Sequence, residues 1–308
     1  MTTEFESDAC PGALRCRCAL HSRRRFTGAL LSGALGGVPA APARAQQDAD
    51  GVRRDVGKES FFTRLASAEQ VEGAAGQQYR QMLQQAGQQK ALGPMNHQQV
   101  IRLRAIAERI IPYTPAWNPR AKDWKWEVNL LGSKQLNAFC MPGGKIAFYY
   151  GILVRLQLSD DEVATIMGHE MGHALREHAR EQMGKGAATQ IGAGLASALL
   201  GLGNTGNQLL GMGAQVLTLK FSRDDESEAD LVGMDLAARA GYDPRAGITL
   251  WQKMLKANEG APPEILSTHP SGPTRIKDIE AKLPKVMPLY ERAEKPERVY
   301  GPPAPLNG

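Results

Sequence analysis

The sequence predicts an α+β fold, mainly helical, with one small sheet. Three observations lead there. Long stretches carry apolar residues at helical spacing and end at glycine or proline. Two shorter runs, "WKWEVNLL" (124–131) and "LNAFCMPGGKIAFYY" (136–150), read as strands, the second divided by a Pro142-Gly143-Gly144 turn. "SDDE" at Ser159 to Glu162 has the spacing of a capping box and opens a helix in mid-chain.

Taken in order, residues 1–45 read as an export signal. "SRRRF" (Ser22 to Phe26) precedes a short, glycine-rich apolar stretch, and Ala43-x-Ala45 supplies a cleavage site before Gln46. The paired arginines and the weakly hydrophobic stretch resemble the twin-arginine type, which predicts a periplasmic or otherwise exported chain. Residues 46–60 are polar. The stretch 61–111 reads as helical through Ile101, Leu103, Ile106 and Ile110, ending at Pro112 and Pro115. After the strands, the capped helix is expected to run to about Gln182. Residues 184–216 are rich in Gly, Ala and Leu, too glycine-broken for a stable membrane span, and read as a helical cover open to peripheral membrane contact. Further helices are expected near 223–240, 245–257 and 273–283. The tail from Pro284 is Pro-rich and reads as a surface segment.

Composition narrows the function. The chain has 308 residues, 42% of them apolar, and a formal net charge of +5. The leader holds six arginines and three acids, leaving 31 basic and 29 acidic residues after it. A nearly balanced chain with scattered basic clusters gives no charge argument for nucleic acid. Cys10, Cys16 and Cys18 lie in the leader, so Cys140 stands alone after it and reads as packed core rather than nucleophile.

The strongest chemical signal is "GHEMGHALREH", which contains His169-Glu170-x-x-His173. Positions four apart lie about 40° apart around a helix, so both imidazoles face one way and can share a zinc ion. Glu170 adjoins His169, within reach of a water at that ion without being a ligand. A catalytic zinc takes three protein ligands. His178 follows His169 by nine residues, about 900° on a continuous helix, which puts it on the opposite face as a surface residue. The other candidate is an acid from "SRDDESEAD" (222–230). Glu226 and Asp230 are four apart and can face the metal helix together, as ligand and as the carboxylate that orients a bound imidazole. Asp224, Asp225 and Glu228 read as solvated acids.

HExxH followed by Glu226-Ser-Glu-Ala-Asp230 resembles the gluzincin zinc metallopeptidases of the CAAX prenyl protease and HtpX type, above all the soluble periplasmic chaperone-proteases of outer-membrane protein assembly. "NAFCMPGG" (Asn137 to Gly144), "ADLVGMDLAARAGYDP" and "STHPSGPTRI" match further motifs of that family in the family's order, over about residues 95–285. The resemblance implies a zincin-like core: an HExxH active-site helix, a second ligand helix, and a small sheet whose edge strand borders the cleft. With the leader and the Pro-rich tail, the chain is expected to divide into the signal (1–45), an N-terminal helical segment (46–120), a catalytic domain (121–285) and a tail (286–308). The resemblance further implies one zinc on His169, His173 and Glu226, Glu170 as general base, and Asp230 as outer partner. Asn137, Ala138 and Phe139 would bind an extended substrate as an added strand.

His269 and Arg275 are implied as further catalytic residues; either can stabilise an oxyanion. In the chaperone-protease relatives the equivalent histidine can instead sit on the zinc and hold the enzyme off. The expected activity is endopeptidase cleavage of unfolded or misassembled envelope proteins, with outer-membrane assembly machinery as a further partner. The alternative is a chaperone-like binder of unfolded outer-membrane proteins with latched or minor proteolysis. An aminopeptidase reading lacks its Gly-x-Met-Glu-Asn anchor segment.

Overall fold

The computed structural model describes residues 51–199, 219–257, 265–269 and 275–304. The expected leader and residues 200–216 of the Gly/Ala-rich stretch lie outside them.

The helical stretch expected at 61–111 divides. A 3-10 turn at Phe61–Leu65 precedes helix α1 (Ala68–Gln88), capped by the Ser67 hydroxyl, and α2 (Gln98–Ile110) follows after a break. The break packs against the sheet. Gly93 donates its N–H to the Leu130 carbonyl at 2.9 Å, and a β-carbon on Gly93 would lie 3.1 Å from that of Leu130. Those backbone bonds compete with helix continuation, which sequence periodicity does not register.

Strands β1 (Glu127–Leu131), β2 (Ala138–Met141) and β3 (Lys145–Tyr149) form a sheet in the order β1-β3-β2. β1 runs parallel to β3, in register Glu127 to Lys145, while β2 and β3 form an antiparallel hairpin. The turn expected at Pro142-Gly143-Gly144 is present. Gly143 and Gly144 have φ of 83° and 76°, and a β-carbon on Gly144 would lie 2.7 Å from the Trp126 ring. Both demands exclude other residues there. β2 is an edge strand.

Short helix α3 (Tyr150–Arg155) leads to α4 (Asp160–Leu175), which carries the complete Ser159/Glu162 capping box. Helix α5 spans His178–Leu199, α6 Arg223–Arg239, α7 Ala246–Ala257, α8 Ile265–Thr268 and α9 Arg275–Arg292. α4 lies between β2 and α6, and α9 packs on α6 and α7. The main core joins Leu130, Ile146 and Phe148 of the sheet to Leu103, Ile106 and Ile110 of α2, Val163, Met167 and Met171 of α4, and Val232 and Leu236 of α6. Each such side chain contributes about 1.5–3 kcal/mol on burial. A smaller cluster, including Tyr79, Phe139 and Met141, fills the space between α1 and the sheet.

Two helix limits differ from the sequence reading. α9 passes 283 and continues to Arg292 through Pro284 and Pro288. These prolines are four apart and both exposed, so the carbonyls they leave without helical partners face water. The metal helix, expected to reach Gln182, ends at Leu175. Asn118 Nδ2 donates to the Leu175 carbonyl at 3.1 Å, Glu177 has φ of 57°, and α5 starts at His178. No glycine or proline marks this break. Long-range hydrogen bonds make it.

Candidate metal centre

α4 and α6 meet through their smallest residues. A β-carbon on Gly168 would lie 2.8 Å from the Gly233 carbonyl oxygen, and one on Gly172 would lie 2.9 Å from that of Ala229. This backbone approach brings Glu226 and Asp230 to the imidazoles of His169 and His173. His269, the residue after α8, joins them. One ligand atom each from His169, His173, Glu226 and His269 lie within 4.8 Å of one another, and all four residues are buried.

The distances within the cluster are short. His173 Nε2 is 3.1 Å from His169 Nε2 and 3.4 Å from Glu226 Oε1, and His169 Nε2 is 3.6 Å from Glu226 Oε2. His269 Nδ1 lies 2.9 Å from Glu226 Oε1 and 3.3 Å from His169 Nε2. Burial holds the His173 imidazole well below its usual titration range, against the opposing effect of Glu226. Burial pushes Glu226 the other way, but hydrogen bonds from His173 and His269 outweigh it and hold the carboxyl below its ordinary range. A neutral imidazole and an ionised carboxylate are the forms that bind metal. The donor set of imidazole nitrogens and a carboxylate therefore fits zinc.

Glu170 adjoins this cluster. It is buried, its Oε1 has no hydrogen-bond partner, and that atom lies 3.7 Å from His269 Nε2. Burial raises its pKa, with His269 and His169 acting against the rise. A buried carboxylate oxygen without a partner is costly, and this one lies beside the cluster of possible metal donors.

Outside the cluster, Asp230 Oδ1 lies 3.0 Å from His169 Nδ1. Arg275 Nε and Nη2 donate to the two Asp230 oxygens, each at 2.7 Å, and Nη1 donates to Glu226 Oε2 at 2.8 Å. The guanidinium also lies over the Trp251 ring, 3.9 Å from its centroid. Despite burial, Arg275 holds Asp230 below the usual carboxylate range.

The cleft beside the cluster is lined by Asn137, Ala138 and Phe139 with Glu170, His173, Phe221 and His269, among others. Tyr149 N–H donates to the Asn137 carbonyl, which therefore points into the sheet, while Ala138 N–H donates to Asn137 Oδ1 at 2.9 Å. Alternation along the strand turns the main chain of Ala138 and Cys140 to the open edge. Cys140 itself is buried, and burial raises its thiol well above the ordinary range, in keeping with a packed residue.

Three expectations are corrected. His178, read as a surface residue, is 2% exposed, and its Nδ1 lies 2.9 Å from His173 Nδ1. The 900° count assumed one helix, and the break after Leu175 removes that assumption. Asp225, read as solvated, is buried; it closes a second capping box with Ser222 and accepts from Gln182 Nε2 at 3.1 Å. Glu228 is half-buried and accepts from Arg176 Nε at 2.9 Å. Asp224 is exposed, as expected. Phe221, just before α6, also joins the site. It stacks on His173 with ring centroids 4.0 Å apart, and nothing in its local sequence marks it.

An HExxH helix, a carboxylate from a second helix and an edge strand across the cleft together define a zinc metallopeptidase centre. The chain belongs to Peptidase family M48, whose match covers residues 97–283. It is 41% identical over 152 residues to Mitochondrial metalloendopeptidase OMA1 of Arabidopsis thaliana, covering 49% of this chain and 30% of that protein. It is 27% identical over 230 residues to Metalloprotease LoiP of Escherichia coli (strain K12), covering 74% of this chain and 86% of that one. With the Beta-barrel assembly-enhancing protease of the same organism it shares 29% identity over 180 residues, 54% of this chain and 36% of that protein. The chain thus spans about a third of the first and third relatives and most of the second.

Proposed function

We propose that this chain is an exported zinc endopeptidase that hydrolyses peptide bonds of unfolded or misassembled envelope proteins. The observation that carries the reading is the buried His169, His173, Glu226 and His269 cluster with the unpartnered Glu170 oxygen beside it. In this reading His169, His173 and Glu226 hold the zinc. When bound, zinc supplies Lewis acidity towards water and the scissile carbonyl.

Glu170 takes the attacking water's proton and returns it to the leaving amine. Asp230 fixes the His169 ring through Nδ1, and Arg275 holds Asp230 and Glu226 together. Arg275 commits its donors to those carboxylates, so its role is positioning rather than oxyanion binding. Substrate adds along β2 beside Asn137, Ala138 and Phe139, through main-chain groups that read no side chain. That mode suits unfolded polypeptide.

The exported, periplasmic setting and the signal cleavage after Ala45 rest on the leader pattern. Among the described residues no helix is long and apolar enough to cross a membrane. A link to outer-membrane assembly machinery rests on the name of one bacterial relative, while the plant relative is named mitochondrial. Amino-terminal sequencing of the exported protein tests the cleavage.

A second reading, a chaperone-like binder with latched proteolysis, is favoured by the place of His269, whose Nδ1 is within 3.3 Å of His169 Nε2. The deciding experiment is digestion of an unfolded protein by wild type and Glu170→Gln, with and without chelator. Cleavage lost in the variant and with chelator supports the peptidase. Cleavage unaffected by either overturns it. Binding of unfolded protein without cleavage by wild type favours the second reading.

A further inference from the structure

We infer that His178 and Glu228 are positioning residues for the metal ligand His173. The inference rests on the zinc reading above. Whereas His169 is held by Asp230 and Arg275, the outer nitrogen of His173 meets another imidazole. Its Nε2 belongs to the ligand cluster, so its Nδ1 carries the proton and must donate. The acceptor is His178 Nδ1, at 2.9 Å. Accepting there places the proton of His178 on Nε2, which faces Glu228 Oε2 at 3.5 Å. Arg176 Nε anchors the same oxygen at 2.9 Å, and the Gly57 N–H donates to Glu228 Oε1 at 3.1 Å. Arg176 Nη2 also donates to the Gly57 carbonyl at 2.7 Å, which ties the segment before α1 to this end of the site.

One proton order therefore runs from Glu228 through His178 to His173. It fixes the tautomer of His173 and the plane of its ring. The arrangement exists only because α4 stops at Leu175, which lets α5 begin with an imidazole aimed back at the site. α6 then serves both ligands, with Asp230 behind His169 and Glu228, two residues earlier, behind the partner of His173. Phe221 lies against the His173 ring, 4.0 Å between centroids, and 6.2 Å from that of His178.

The test uses the full chain. Zinc affinity is measured by competition with a chromophoric chelator, and ligand geometry by the visible spectrum of the cobalt(II)-substituted protein. Circular dichroism of the metal-stripped protein checks folding. Glu228→Gln and His178→Leu are expected to lower zinc affinity about 10- to 100-fold and to shift the cobalt bands. His178→Asn, which restores an acceptor for His173, is expected to recover part of both. If His178→Leu fails to fold, Glu228→Gln and His178→Asn decide. Wild-type affinity and spectrum in every folded variant overturn the inference and leave the zinc reading standing. Absence of stoichiometric zinc from wild type, or full affinity in Glu226→Gln, overturns both.

Discussion

Gly172 of the metal helix and Ala229 of the carboxylate helix touch backbone to backbone: a β-carbon on Gly172 would lie 3.0 Å from the Ala229 Cα. One turn along, Gly168 and Gly233 repeat the contact. This seam sets the distance between the imidazoles on α4 and the carboxylates on α6, so the ligand geometry depends on residues that carry no chemistry.

Gly233→Ala tests the seam. Its new β-carbon would fall 2.6 Å from the His169 nitrogen and 2.8 Å from the Gly168 carbonyl carbon, neither of which can yield without moving a helix. A loss of about 1–3 kcal/mol is expected, read as a lower urea midpoint, together with weaker zinc binding. Gly73→Ala in α1 is the control. Nothing lies within 4 Å of its β-carbon, so stability should rise by about 0.5–1 kcal/mol. Equal effects from the two would sink the argument.

His269→Ala is expected to raise cleavage of unfolded protein. Its imidazole lies among the ligand atoms and its Nε2 faces Glu170, where water must enter. An initial-rate assay at saturating zinc checks this, and a fall in rate would assign His269 to catalysis.

Asp230→Asn and Arg275→Lys should each weaken the centre. Asn keeps the shape but loses the charge that pairs with Arg275, while Lys cannot donate along both Asp230 oxygens at once. A roughly 10- to 100-fold drop in zinc affinity or turnover is expected for Asp230→Asn. Unchanged chelator competition would refute it.

Glu228 gives a pH signature. Burial raises its carboxyl, but hydrogen bonds from His178 and Arg176 bring it down to about 2. A folded-state value below the unfolded one stabilises the fold in full above the unfolded value of about 4.3. That contribution fades as pH falls from there towards 2. The melting-temperature gap between metal-free wild type and Glu228→Gln should therefore narrow as pH falls below about 4.3. A gap that widens over that range would contradict the assignment.

Much of this was open to the sequence alone. The HExxH spacing on a capped helix placed His169 and His173 on one face with Glu170 beside them, and the four-residue step from Glu226 to Asp230 placed two acids on one face of another helix. The glycines of the β2–β3 turn were legible because only glycine tolerates their φ. All of these follow from local periodicity and local backbone restriction, which a sequence carries in full.

The tertiary structure decided the rest. The metal helix stops where Asn118, 57 residues away, captures the Leu175 carbonyl, and that stop turns His178 inward against His173. The charge run divides the same way. Asp225 and Glu228 look solvated until Gln182 and Arg176 arrive from other elements to satisfy them. A hydrogen bond between distant residues leaves no mark in local composition, so the clustered histidines and acids were readable in the chain and the partners that hold them were not.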